Sequence, residues 1–210
     1  MRRAFGVFIS IGFVLGINLT PIPVNSVKEL IEYAKAKPGT LNFATTGAGS
    51  ANSLAPELFK AMTGTNIVRV NFKGSGPAAV SLLAGEVQLA IDTGASLLPH
   101  VKGSKLRALA VASPQPSPLF QGLPTLAATV PGYEASLLIV VLAPAKTPSA
   151  IISRLNHEIV RIMNQTDVKE KFMGVGIEVV GSTPAMLAAT MKSDILKWSK
   201  VIKDAGIRAD

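Results

Sequence analysis

The chain has 210 residues, 48% hydrophobic and 16% charged, with 18 glycines, 14 prolines and no cysteine. That is enough apolar sequence for one large core or two small ones, and it excludes a disordered, collagenous or coiled-coil chain as well as disulfide, thiolate, iron–sulfur and cysteine-zinc chemistry. The net charge of +8 is spread along the chain and only 5% of residues are aromatic, so no basic, base-stacking surface for nucleic acid is expected, and the diffuse positive potential favours small anionic ligands.

Met1-Arg2-Arg3 precedes an apolar run over residues 4–19, broken only by Ser10 and Asn18. The run has the charged start and apolar centre of a secretory signal, but it leads into Thr20-Pro21-Ile22-Pro23 without a small-residue cleavage site. At about sixteen residues it is shorter than the roughly twenty of a membrane-spanning helix. Two readings stand at this point: an export signal, or a buried strand or pair of strands.

Ser26-Val27-Lys28-Glu29 is a capping box, in which the serine hydroxyl and the glutamate each satisfy a free helix-end donor, and it predicts a helix that ends near Lys37-Pro38-Gly39. A strand over residues 41–44 follows, then the turn Thr45-Thr46-Gly47-Ala48-Gly49-Ser50, then a helix over residues 53–62. Next come a strand at 67–70, a helix from Gly74-Ser75-Gly76-Pro77 to about residue 83, and a strand at 87–91. Asp92-Thr93-Gly94-Ala95 reads as a turn before a short helical piece to residue 101 and a strand at 106–111. The alternation predicts an α/β lobe with a mainly parallel sheet.

Residues 113–125 carry four prolines and read as a linker. Residues 137–142 form an apolar run that reads as a strand buried on both faces. Thr147-Pro148 starts a helix to about Asn164. Thr183-Pro184 starts a last helix, whose Leu187, Met191, Ile195, Trp198 and Ile202 form a packing stripe.

Catalytic patterns are missing. His100 follows a proline in an expected loop, and His157 beside Glu158 reads as a solvated helix residue. No G-x-S-x-G elbow, H-E-x-x-H pair or phosphate-binding lysine loop occurs. Gly47-Ala48-Gly49 opens like a dinucleotide fingerprint, but Asn52 stands at its third glycine. Two features remain chemically meaningful. The turn before the helix offers glycine backbone, the hydroxyls of Thr45, Thr46, Ser50 and Ser53, and the positive end of a helix, which together suit a carboxylate or phosphate. Asp92-Thr93 lies where ligands of open α/β sheets gather, at the carboxyl end of a strand. From spacing alone, an ordinary strand-to-helix turn accounts slightly better for the first feature.

Several segments occur in one order: Pro23-Val24-Asn25-Ser26-Val27-Lys28-Glu29-Leu30, Ala36-Lys37-Pro38-Gly39-Thr40-Leu41-Asn42-Phe43-Ala44, Gly47-Ala48-Gly49-Ser50, Gly85-Glu86-Val87-Gln88-Leu89, Pro131-Gly132-Tyr133-Glu134 and Ala143-Pro144-Ala145-Lys146-Thr147-Pro148. From about Phe13 to the C-terminus the series resembles the Bug/TctC family, extracytoplasmic solute receptors of tripartite tricarboxylate transporters. The resemblance implies an α/β, type II periplasmic-binding-protein-like fold, with one complete lobe and the C-terminal part of the other. It places a signal-like or truncated lead-in strand at 1–20, a second lobe with the glycine-rich ligand loop at 21–125, and a return to an incomplete first lobe at 126–210.

The resemblance further implies a periplasmic, non-enzymatic receptor without cofactor or metal. Its ligand is a small tricarboxylate, dicarboxylate or related organic acid, and its partners are the membrane components of the transporter. A fold that has kept its shape but lost binding is the alternative. The family's loop pattern falls on Thr45, Thr46, Gly47, Ala48, Gly49, Ser50 and Ser53, and its post-strand aspartate on Asp92, next to Thr93. Ser53 stands where many members carry histidine. The family's N-terminal part, with the loop that supplies the other half of the ligand clamp, has no counterpart, which implies an N-terminally truncated chain and an apolar face left open in the first lobe.

Overall fold

The computed structural model describes residues 2–19, 22–47, 49–179 and 181–207, with side chains described from residue 12 onward. The chain forms two compact units, one of Met1–Ile11 and Leu137–Ser199, the other of Gly12–Ser136 and Lys200–Asp210. The apolar N-terminal run is extended: β1 (Arg2–Asn18) is a single strand whose residues 2–11 fall in the first of these units and whose remainder falls in the second.

In the larger unit the elements follow the order α1 (Val27–Ala36), β2 (Asn42–Thr46), α2 (Ala51–Thr63), β3 (Val68–Phe72), α3 (Ser75–Ala84), β4 (Leu89–Thr93), α4 (Gly94–Lys102) and β5 (Leu106–Val111). The serine half of the capping box at α1 forms, Glu29 N–H donating to Ser26 Oγ at 3.1 Å, while the Glu29 carboxylate accepts from Asn25 N–H at 2.8 Å, one residue before the N-cap. The strand order is β3-β2-β4-β1-β5. β2 runs parallel to β3 and β4, whereas β1 is antiparallel to β4 and β5. Of these five strands β2, β3, β4 and β5 run one way and β1 runs against them, so the expected mainly parallel sheet carries one antiparallel strand, inserted between β4 and β5. No local pattern announces such an insertion, since register and direction are set by partners far along the chain.

Alternation along β1 sends neighbours to opposite faces. Val14 packs with Ala44, Ala90, Leu82 of α3 and Leu97 of α4, all buried in one cluster. A chain of edge-to-face rings covers another part of the core: Phe43 on β2 meets Phe59 on α2 at 6.1 Å between centroids, and Phe59 meets Tyr133 at 6.2 Å. The proline-rich stretch lies inside this unit. Val111 N–H donates to Pro124 O, Val111 bridges Thr125, and Phe120 is buried within a short 3-10 turn at Pro118–Phe120. His100, expected in a loop, stands in the last turn of α4, where Pro99 is accommodated within a helix of nine residues.

Asn18 closes β1 and is buried. Its Nδ2 donates to Leu82 O at 2.6 Å and to Leu83 O at 3.2 Å, near the C-terminal end of α3. Helix-end carbonyls lack intrahelical donors; the C-cap Gly85 N–H reaches Leu82 O at 3.2 Å, and the Asn18 amide adds donors to that carbonyl and to its neighbour. Asn18→Ala is expected to lower stability by about 1–3 kcal/mol, read from urea denaturation; an unchanged midpoint would show that water replaces the amide.

In the other unit β6 (Ser136–Pro144) pairs β1, and α5 (Ser149–Met163), α6 (Thr166–Gly174) and most of α7 (Pro184–Asp204) follow. The strand expected at 137–142 is present but not buried on both faces: Ile139 is 46% and Val141 41% exposed. The stripe on α7 is also incomplete, because Leu187 is fully buried while Ile195 is 63% exposed. Spacing identified a helix face, but burial depends on what packs against each turn. Asn156 Nδ2 donates to Ser182 O at 2.9 Å and joins α5 to the segment before α7. His157 is exposed on α5. Among the described residues no helix is long and apolar enough to cross a membrane.

Candidate functional site

The turn after β2 begins two residues later than its composition indicates, because the strand runs to Thr46. Thr45 is consequently a strand residue, fully buried, and its hydroxyl donates to Asn71 Oδ1 on β3 at 2.6 Å. Gly47 and Gly49 have φ values of +57° and +77°, a region that side-chain-bearing residues rarely occupy. A Cβ at either would meet nothing within 4 Å. These glycines are needed for chain direction and not for tight packing, and the space around them is open. Ala48 lies outside the described residues.

Hydroxyls organise the turn from within. Ser53 Oγ donates to Gly47 O at 2.6 Å, Ser50 Oγ donates to Thr46 O, and the Thr46 and Ser50 hydroxyls are 3.1 Å apart. With the carbonyls of Thr46 and Gly47 accepting from these hydroxyls, their negative ends repel an incoming anion less. Ser50 is the N-cap of α2, and its carbonyl accepts from Ser53 N–H and Leu54 N–H at 2.9 Å. The first N–H groups of a helix have no intrahelical acceptor, and its dipole puts partial positive charge there. The arrangement can hold a carboxylate through uncharged donors.

Asp92 is the fourth residue of β4, not a turn residue, and it is buried. Its Oδ1 accepts from Thr93 N–H at 2.6 Å, from Asn52 Nδ2 and from Ser75 Oγ at 3.4 Å. Burial pushes the Asp92 carboxyl above its ordinary value, while the hydrogen bonds from Thr93, Ser75, Asn52 and Ser96 hold it down in part. Thr93 caps α4, accepting from Ser96 N–H at 3.3 Å. The structure thus brings Ser50, Ser53 and Asp92 together through α2, with Thr93 adjoining, and adds Asn52 and Ser75, which no sequence pattern singled out. A cavity of about 580 Å³ elsewhere in this unit is lined by Leu98, Val101, Leu106, Leu119, Phe120 and Leu123 and includes none of the loop residues.

Helix starts gathered at the carboxyl ends of parallel strands are shared by many α/β folds; solved structures place this one in the type II periplasmic binding class. The chain superposes on the R. palustris protein Rpa4515, solved with adipate, with TM-score 0.86 and 34% identity, covering 100% of this chain and 70% of that one. The periplasmic binding protein BugD gives TM-score 0.82 at 25% identity, covering 100% of this chain and 71% of BugD. The tripartite tricarboxylate transporter family receptor (TctC) profile matches residues 9–207, and the chain belongs to that family. The family is one of periplasmic solute-binding receptors, not of enzymes. BugT of Bordetella pertussis is 35% identical over 188 residues, 89% of this chain and 58% of BugT. The chain spans 55% to 58% of the first curated relatives it matches.

Proposed function

We propose that this chain is the ligand-holding part of a periplasmic receptor that captures a small carboxylate, a tricarboxylate, dicarboxylate or related organic acid, for the membrane components of a tripartite tricarboxylate transporter. The observation that carries the reading is the β2–α2 turn: two left-handed glycines open to solvent, carbonyls satisfied by serine hydroxyls, and a helix start directly behind. Thr46, Gly47, Ala48, Gly49, Ser50 and Ser53 form the carboxylate cradle, Thr45 supports it from the strand, and Asp92 and Thr93 border it. Adipate in the 34% identical Rpa4515 is a dicarboxylate, of the chemical class this cradle suits.

Calorimetric titration with adipate, citrate, malate, glutamate and nicotinate tests the reading. Binding of at least one of these acids is expected, and no heat with any of them from a folded sample would overturn it. Thr46→Ala combined with Ser50→Ala removes two of the cradle's three hydroxyls, including the Ser50 hydroxyl that donates to the Thr46 carbonyl. Affinity is expected to fall about tenfold or more, the scale of one or two lost hydrogen bonds. Unchanged affinity would remove these residues from the site.

A further inference from the structure

The cradle's own hydroxyls do not explain how three helix starts are held in place at one end of the sheet. α2 follows β2, α3 follows β3 and α4 follows β4, and these three strands are neighbours in the order β3-β2-β4. Side chains from all three junctions meet at one atom. Asp92 Oδ1, at the end of β4, accepts from Asn52 Nδ2 in the first turn of α2, from Ser75 Oγ at the first residue of α3, and from the Thr93 N–H that enters α4. Asn52 Nδ2 also lies 3.4 Å from Ser75 Oγ. Asn52 and Asp92 are 9% and 4% exposed, so water has little access to this meeting point.

A carboxylate beside an anion cradle repels the ligand unless its charge is stabilised by local donors. Three donors on Oδ1 stabilise that charge in part. Asn52 is two residues past the N-cap Ser50, so any displacement of its side chain carries with it the free N–H groups of the first turn. The glycines of the preceding turn, with open space around them, contribute little rigidity of their own.

We infer that Asn52 and Ser75 are positioning residues that, together with Asp92, form a clasp setting the first turn of α2 against the first turn of α3 and so aiming the cradle's N–H groups. The inference rests on the receptor reading for its effect on affinity, but not for the clasp itself.

Amide NMR spectra of the isotopically labelled chain, recorded without ligand, decide between the clasp and three unconnected junctions. Asn52→Ala is expected to move the resonances of residues 50–53, of residues 92–93 and also those of residues 74–76, with the remainder of the spectrum in place. Ser75→Ala is expected to move the side-chain amide signals of Asn52 in return. Ser75→Thr keeps the hydroxyl donor to Asp92 Oδ1 and is expected to leave these resonances in place. Asn52→Asp sets two carboxylates in contact and is expected to move these resonances. In titrations with adipate, Asn52→Ala should bind about tenfold more weakly, the scale of one charge-assisted hydrogen bond, and Ser75→Thr should bind as the wild type does. Resonances of residues 74–76 unmoved by Asn52→Ala, with Asn52 amide signals unmoved by Ser75→Ala, would overturn the clasp, as would a folded Ser75→Thr variant that moves these resonances as Ser75→Ala does. Wild-type protein that gives no heat with adipate or the other acids overturns the receptor reading instead, and the ligand-free spectra still decide the clasp.

Discussion

Replacing Phe59 with alanine is expected to remove about 3–5 kcal/mol of stability and to weaken carboxylate binding with it. Phe59 is fully buried, and its ring is the middle member of the Phe43–Phe59–Tyr133 series, so truncation empties a space bordered on two sides by aromatic edges. Both neighbours are fully buried side chains, which leaves little freedom to collapse into the gap. The consequence reaches the cradle because Phe59 anchors α2, the helix whose first turn presents the proposed donors. Tyr133 grips the same helix, its hydroxyl donating to Ala55 O at 2.9 Å, and burial pushes that phenol above its ordinary value so that it remains a neutral donor. Tyr133→Phe keeps the ring and loses one hydrogen bond, at a cost of about 1 kcal/mol. Chemical denaturation of both variants checks the pair of values. A loss under about 1 kcal/mol for Phe59→Ala would show that the aromatic series is not what holds α2 to the sheet.

The features legible in the sequence are those set by neighbours within a few residues. Ser26 and Glu29 cap α1 because both partners of the capping interaction lie within one turn. The glycines at 47 and 49 mark the turn before α2, since only their backbone readily takes positive φ. Features set at long range were not legible. Val14 pairs with Asp92 on one side and Val111 on the other, a placement no local pattern encodes, and it sets one antiparallel strand inside an otherwise parallel series. α6, with mixed polarity and no side-chain cap, has no local start signal either.

The site divides along the same line. Its loop could be read because glycine, hydroxyl residues and a helix start are contiguous. Thr45 reads as part of that loop only if the strand ends at Ala44; with two more residues in β2 its hydroxyl turns to Asn71 instead. Asn52 and Ser75 are silent in the sequence. Each is an ordinary first-turn helix residue, and they acquire a role only where Asp92, 40 and 17 positions further on, folds against them.

Asp92 gives the second large effect, expressed in how stability depends on pH. In the folded chain burial raises its carboxyl above the ordinary 3.8, so above that pH the native state binds more protons at this position than the unfolded state does. Stability from this group is then fully present below about pH 4. It is lost as pH rises through the folded value, with a slope of at most about 1.4 kcal/mol per pH unit for a single proton. Asp92→Asn has no proton to lose there. Its stability relative to wild type is therefore expected to improve as pH is raised from 4 towards neutrality, which paired thermal melts across that range will show; a difference that is flat, or that runs the other way, would mean that the hydrogen bonds from Thr93, Ser75, Asn52 and Ser96 match or outweigh burial. Asp92→Ala separates charge from hydrogen bonding. It leaves Asn52 Nδ2, Ser75 Oγ and the Thr93 N–H facing a void, with an expected loss of about 2–3 kcal/mol relative to Asp92→Asn at every pH. If the two variants prove equally stable, solvent reaches those donors and the acceptor at position 92 is dispensable to the helix starts around it.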